Sequence, residues 1–205
     1  MWRRFARRGA RQPRRLPRPP GDAALGQRRG SRHLSGPRHL VLLGLPGAGK
    51  TTVAPLVAAA LGTGHRDLDQ WIEADAGRTI PELFATEGEA AFRDRERVAM
   101  AAALAESPMV ISPGGGWAAE TGNLALAEPR ALTLYLYVSP EVAAGRLGPA
   151  TDRPLLRDAP LPRLRELLDR RERWYRLAGI EVDAEGAPEV VAAGVVAAAR
   201  RYGGW

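Results

Sequence analysis

A chain of 205 residues, 45% hydrophobic and 26% charged, has room for one ordinary globular core and does not have a fibrous or wholly disordered composition. It has no cysteine and only three histidines (His33, His39, His65), which excludes disulfide scaffolds, thiolate zinc sites and thiol nucleophiles and argues against a histidine-built metal site or triad. The formal charge of +7 is unevenly placed: residues 1–38 hold twelve arginines against Asp22, a net of +11, and the remainder carries −4.

Residues 1–38 are rich in Arg, Pro and Gly and show neither helical nor alternating periodicity. They are expected to form a disordered extension, because they cannot bury enough apolar surface to offset their ordering entropy. No apolar stretch of secretory-signal length is present and serines are few for an organellar signal, so the expected location is the cytoplasm. No apolar run approaches the roughly 20 residues of a membrane span, so no membrane partner is expected. Any nucleic-acid contact is expected to be nonspecific and confined to this tail.

From His39 onward short apolar runs alternate with longer helical ones. A buried strand at 39–44 runs into a glycine loop, and a helix follows at 50–61. A short strand leads to Asp67, followed by helical segments at 68–76, 80–86 and 88–106. A strand at 109–112 ends in Gly114–Gly116. Another strand (131–138) and a short helix (140–146) precede a loop rich in Pro, Gly and Asp (147–160). A strongly charged helix at 161–177, a short strand at 180–182 and an alanine-rich helix at 188–201 complete the pattern. Residues 39–205 are thus expected to form one α/β domain, a parallel sheet covered by helices on both faces.

The strongest chemical signal is GLPGAGKT at 44–51, a full match to the G-x-x-x-x-G-K-[ST] phosphate loop with a strand entering and a helix leaving. Gly47, Ala48, Gly49, Lys50, Thr51 and Thr52 are expected to bind the nucleotide. Backbone N–H groups would cradle its phosphates, Lys50 would reach the β/γ-phosphates and the Thr51 hydroxyl would ligate Mg²⁺. The chain has 29 arginines and one lysine, and that lysine is Lys50. A compact ammonium suits a tight loop that arginine's planar fork would not fit.

Asp67 and Asp69 lie two apart after the second strand. In an extended segment both would project from one face, one near Mg²⁺ and the attacking hydroxyl, the other on substrate hydroxyls. The competing reading is a helix start, with Asp69 in a capping box with Glu73. Arg93 and Glu96, three apart on a helix, are either a surface ion pair or a guanidinium steered by Glu96 to clamp a carboxylate. Gly114–Gly116 at the end of a strand are either a loose turn or a place where a ligand approaches the backbone.

Together these elements resemble the shikimate kinases: GLPGAGKTT, the D-L-D pair followed by WIE, GRTIPELF, GEAAFRDRE, S-P-GGG, TDRPLL and RRERWYR, in register from 44 to about 188. The resemblance implies a P-loop fold of the nucleoside-monophosphate-kinase type with a lid, transferring the γ-phosphate of ATP to the 3-hydroxyl of shikimate in aromatic amino-acid biosynthesis. It implies Asp67 beside Mg²⁺ and the reacting hydroxyl as the base, and Asp69 on the substrate hydroxyls. Arg93 and Arg171 would grip the carboxylate with Gly115 and Gly116 close to the ring, while Phe84, Phe92 and Glu96 shape the pocket. Arg153 would be the lid arginine over the phosphates, and Arg146 and Pro188 would sandwich the adenine. A monomer is the family default. Pro113 and Trp117 flank the glycines where smaller or more flexible residues are usual, so Trp117 is expected to border the ring pocket and either narrow it or change its preference. The alternatives are a sister kinase for another polyol acid such as gluconate, a nucleotide-binding regulator with a nucleic-acid-binding tail, or a kinase that has lost catalysis.

Overall fold

The computed structural model describes residues 36–147 and 159–205. Five strands form one parallel sheet: β1 (His39–Leu43), β2 (His65–Asp67), β3 (Val110–Ser112), β4 (Ala131–Tyr137) and β5 (Ile180–Asp183). Their spatial order is β2-β3-β1-β4-β5. HLVLL in β1 is buried along its whole length, as a central strand covered on both faces must be. Around the sheet lie α1 (Lys50–Leu61), α2 (Leu68–Ala76), α3 (Ile80–Ala105), α4 (Asn123–Ala127), α5 (Pro140–Leu147), α6 (Pro160–Tyr175) and α7 (Pro188–Tyr202). The core runs through Leu40, Leu42, Val57, Met100, Ile111, Leu134 and Val195, all fully buried between sheet and helices.

The parallel sheet brings three sequence-distant segments to one edge. β1 delivers the phosphate loop, β2 ends on Asp67 and β3 ends on Ser112 just before the glycines. The β2–β3 register sets Asp67 directly opposite Ser112. Ligands of open α/β sheets bind outside these carboxyl ends.

Several expected boundaries shift. Segments 80–86 and 88–106 join into α3, but Gly88 (φ 83°, ψ 173°) breaks the helix between them. Its start is fixed by a capping box: Thr79 Oγ1 accepts from the Glu82 N–H while the Glu82 carboxylate accepts from the Thr79 N–H. The expected 161–177 helix begins at Pro160 and ends at Tyr175, with a 3₁₀ turn at Arg176–Ala178. A 3₁₀ turn at Trp117–Ala119 and the short α4 were not expected, since that stretch has no clear period. Residues ahead of β1 are tied to the end of the chain. The Arg38 N–H donates to the Gly203 carbonyl at 2.9 Å, and Trp205 Nε1 donates to the Arg38 carbonyl at 2.8 Å.

Candidate active site

The phosphate loop turns from β1 into α1 with Gly49 in the left-handed conformation as the cap residue, and no side chain caps the helix. The amide groups of the first turn are thus left for an anion, and no acidic residue in that turn competes. Gly47 (φ +84°) lies against the backbone of α5: a Cβ there would come within 2.7 Å of the Ala143 carbonyl oxygen. Lys50 Nζ donates to the carbonyls of Gly44 at 2.9 Å and Leu45 at 3.0 Å, which holds the ammonium over the loop.

Asp67 organises the centre. Its Oδ2 accepts from Thr51 Oγ1 at 2.7 Å and from Ser112 Oγ at 3.2 Å. Its Oδ1 accepts from the N–H groups of Asp69 at 3.0 Å and Gln70 at 3.3 Å. Two expectations are corrected here. Asp67 and Asp69 are not on one face of an extended segment, because Asp67 ends β2 while Asp69 lies in the first turn of α2. The cap is also not Asp69: the Asp67 side chain caps α2, so Asp69 turns toward the glycine segment. A Cβ on Gly114 would sit 2.8 Å from both Asp69 Oδ1 and Glu96 Oε1, so two carboxylates and a bare backbone converge.

The second cationic centre is Arg93. It donates to Glu96 Oε2 at 2.5 Å and to Glu89 Oε1 at 3.0 Å, with Glu120 Oε1 3.4 Å from Nε. This is no surface pair, since Glu96 is 1% exposed. Burial pushes the Glu96 carboxyl above its ordinary pKa, and Arg93 only partly offsets that push. Burial works against the Arg93 charge too, but its carboxylate partners outweigh it and hold its pKa above the usual value. The Arg93 guanidinium packs on Gly116, 3.0 Å from where a Cβ would stand. Arg171 reaches Gly115 from α6, its Nη1 3.6 Å from the corresponding point. Among the described residues no carboxylate forms an ion pair with Arg171. The Tyr175 hydroxyl reaches the same Gly115, and burial pushes its pKa up to about 12 while the Arg171 charge draws it down.

A cavity of about 430 Å³ joins these parts. Its walls are the phosphate loop from Pro46 to Val53, Asp67 and Asp69, and Pro113–Gly115, closed on the far side by Arg146, Leu147, Ala184, Gly186, Pro188 and Val191. Arg146 Nη2 donates to the carbonyls of Glu185 at 2.9 Å and Gly186 at 3.1 Å, which pins the β5–α7 loop beside Pro188. Arg93, Arg171 and Gly116 stand behind the glycine segment rather than in this wall. Phe92 is buried and stacks on the half-exposed Phe84 at 4.6 Å, and neither ring is in the wall. Trp117 is fully buried in the core and, like Arg93, Arg171 and Gly116, is not among the residues that line this cavity. Arg153 lies outside the described residues, as does most of the 147–160 loop. Residues not anticipated from sequence are Ser112, which registers against Asp67, and Tyr175, which donates to the Gly115 carbonyl.

The family model described as shikimate kinase matches residues 46–200. A shikimate kinase of Caulobacter vibrioides (strain NA1000 / CB15N) is 39% identical over 163 residues, covering 79% of this chain and 82% of that protein. The structure of the shikimate kinase from Acinetobacter baumannii in complex with shikimate superposes with a TM-score of 0.77 at 32% identity, over 82% of this chain and 95% of that one. A gluconokinase from Sinorhizobium meliloti 1021 shares the fold alone, at 18% identity and a TM-score of 0.54, over 82% of this chain and 94% of that one. With Lys50, Thr51, Asp67 and the carboxylate-paired Arg93 all inside the matched residues 46–200, the chain belongs to the shikimate kinase family.

Proposed function

We propose that the chain transfers the γ-phosphate of ATP to the 3-hydroxyl of shikimate, giving 3-phosphoshikimate and ADP. The observation that carries this is the continuity of one cavity from the phosphate loop, past Asp67, to the glycine segment that Arg93 and Arg171 contact. ATP would lie along Gly47–Thr52, with its base between Arg146 and Pro188, and shikimate along Asp69, Gly115 and Gly116, its carboxylate toward Arg93 and Arg171.

Phosphoryl transfer through a loose transition state needs little covalent help, so alignment and charge carry the rate. Lys50 supplies a compact positive charge at the transferring phosphoryl, and Arg153 would add a second. Asp67 already accepts four hydrogen bonds, so it acts first by position, setting Thr51 and the acceptor hydroxyl in line. It takes the hydroxyl proton late, as the new P–O bond forms. Mg²⁺ fits the donors present: Thr51 Oγ1 and Asp67 Oδ2 are hard oxygens 2.7 Å apart, and among the described residues no cluster of three or more His, Cys, Asp or Glu would replace phosphate and water as its remaining ligands. When bound, the ion neutralises charge on the β- and γ-phosphate oxygens.

Among the described residues no helix is long and apolar enough to cross a membrane. The reading is completed by a cytoplasmic, monomeric kinase domain at 39–205, with residues 1–38 as an appendage. The test is ADP release from ATP and Mg²⁺ with shikimate, gluconate or no acceptor, for the full chain and for one starting at Gly36. Shikimate-dependent ADP in both is the expected result. Turnover with gluconate alone, or nucleotide binding with no acceptor-dependent turnover, would overturn the proposal.

A further inference from the structure

Arg93 and Arg171 flank the same glycine segment but in opposite electrostatic condition. Arg93 is bound to three carboxylates. Arg171 has none among the described residues, and it shares the Gly115 backbone with the phenol of Tyr175, one helical turn later on α6. The Tyr175 ring is 1% exposed and packs against Tyr135 with centroids 5.2 Å apart, a place phenylalanine would fill equally well. What tyrosine adds is the hydroxyl, which donates to the carbonyl of Gly115. With its proton committed there, the oxygen keeps its lone pairs for a donor beside Gly115, which the Arg171 Nη1 also reaches. A long arginine side chain without a partner loses rotamer freedom when it captures a ligand, and a fixed acceptor lowers that cost. A carboxylate in that position would orient the guanidinium too, but would cancel the charge meant for an incoming acid.

We propose that Tyr175 is a positioning residue: its hydroxyl couples the Gly115 carbonyl to the Arg171 guanidinium and aims an uncancelled cation at the acceptor's carboxylate. This rests on the reading of Arg171 as a carboxylate-binding residue. The test compares Tyr175→Phe, Arg171→Ala and the double variant by initial rates against shikimate and against ATP, with melting temperatures alongside. Tyr175→Phe is expected to raise the KM for shikimate by about tenfold, the loss of one ordering hydrogen bond, with kcat and the KM for ATP unchanged. Arg171→Ala is expected to raise it further, and the double variant to be no worse than Arg171→Ala, because the tyrosine acts through the arginine.

An Arg171→Ala variant with a normal shikimate KM would sink the carboxylate reading and the proposal together. A raised KM in Arg171→Ala with a normal one in Tyr175→Phe would leave that reading standing and refute the role of Tyr175. Multiplying effects in the double variant would show the two residues acting independently, against the coupling. A joint loss of kcat, both KM values and melting temperature in Tyr175→Phe would reduce the hydroxyl to a structural part.

Discussion

Replacing Gly47 by alanine tests how closely the phosphate loop is built onto α5. Two costs are expected. A φ of +84° is left-handed, which strains an L-residue by about 1–2 kcal/mol. The new methyl would also stand 2.7 Å from the Ala143 carbonyl oxygen and 3.1 Å from its Cα, both backbone atoms that cannot swing aside. Overpacking of that kind adds about 1–3 kcal/mol. Gly77 provides the control: its φ is +62° but nothing lies within 4 Å of the added methyl, so Gly77→Ala carries the strain alone. Reduced freedom of the unfolded chain stabilises both variants alike and cancels in the comparison. At about 2–4 °C per kcal/mol for a domain of this size, Gly47→Ala should melt lower than Gly77→Ala by roughly 2–12 °C. The shifted loop should also raise the KM for ATP in Gly47→Ala only. Calorimetry or a fluorescence melt of the two variants decides the matter. Equal melting temperatures would show that the loop and α5 separate at no cost, and the backbone-to-backbone contact would lose its assigned importance.

Other expectations follow from the site and the core. Asp67→Asn keeps an oxygen to cap α2, so its melting temperature should hold, while turnover falls by about 10²–10³-fold through lost charge at the reacting centre; near-normal kcat would remove Asp67 from the chemistry. Arg93→Ala strips the nearest cation from a carboxylate that is 1% exposed, which should cost about 3–5 kcal/mol of stability and weaken shikimate binding. Adding Glu96→Gln should recover stability without recovering binding, as melts and shikimate titrations would show, and an unperturbed melt for Arg93→Ala would contradict the pairing. His39 is buried at the start of β1, its Nδ1 accepting from the Met109 N–H at 3.3 Å, and burial together with the Arg130 charge lowers its pKa from 6.5 against the opposing pull of Glu106. Because the fold holds this imidazole neutral, its contribution is complete above the ordinary pKa and is lost as pH falls below it toward the depressed value. The melting temperature should therefore drop more between about pH 7.5 and about pH 5.5 for the native chain than for His39→Gln, and parallel slopes would refute the assignment.

The phosphate loop was legible because everything that defines it is local: two glycines, a lysine and a threonine at set spacing between an apolar strand and a helix. The alternation of strands and helices was legible for the same reason. Contacts set by strand register were not. Ser112 meets Asp67 only because β2 and β3 pair in parallel, 45 residues apart in sequence. Tyr175 meets Gly115 across 60 residues, and an i,i+4 spacing to Arg171 inside an arginine-rich helix gives no hint of it. Spacing alone leaves the Asp67–Asp69 pair open between an extended arrangement and a helix start, because it does not reveal a strand ending and a helix beginning on the same residue. The burial of Trp117 was not legible either, because it opens a 3₁₀ turn at Trp117–Ala119 that no periodicity announces.

The ammonium held by the Gly44 and Leu45 carbonyls has a practical consequence. Lys50 is the chain's one lysine, so a mild acylating or reductive-alkylating reagent meets a single side-chain amine, and that amine sits at the phosphate end of the cavity. Apart from the chain's amino terminus, labelling of the whole protein is a readout of one position. The extent of modification, followed by intact mass with and without nucleotide, thus becomes an occupancy gauge that needs no acceptor, no coupled assay and no engineered handle.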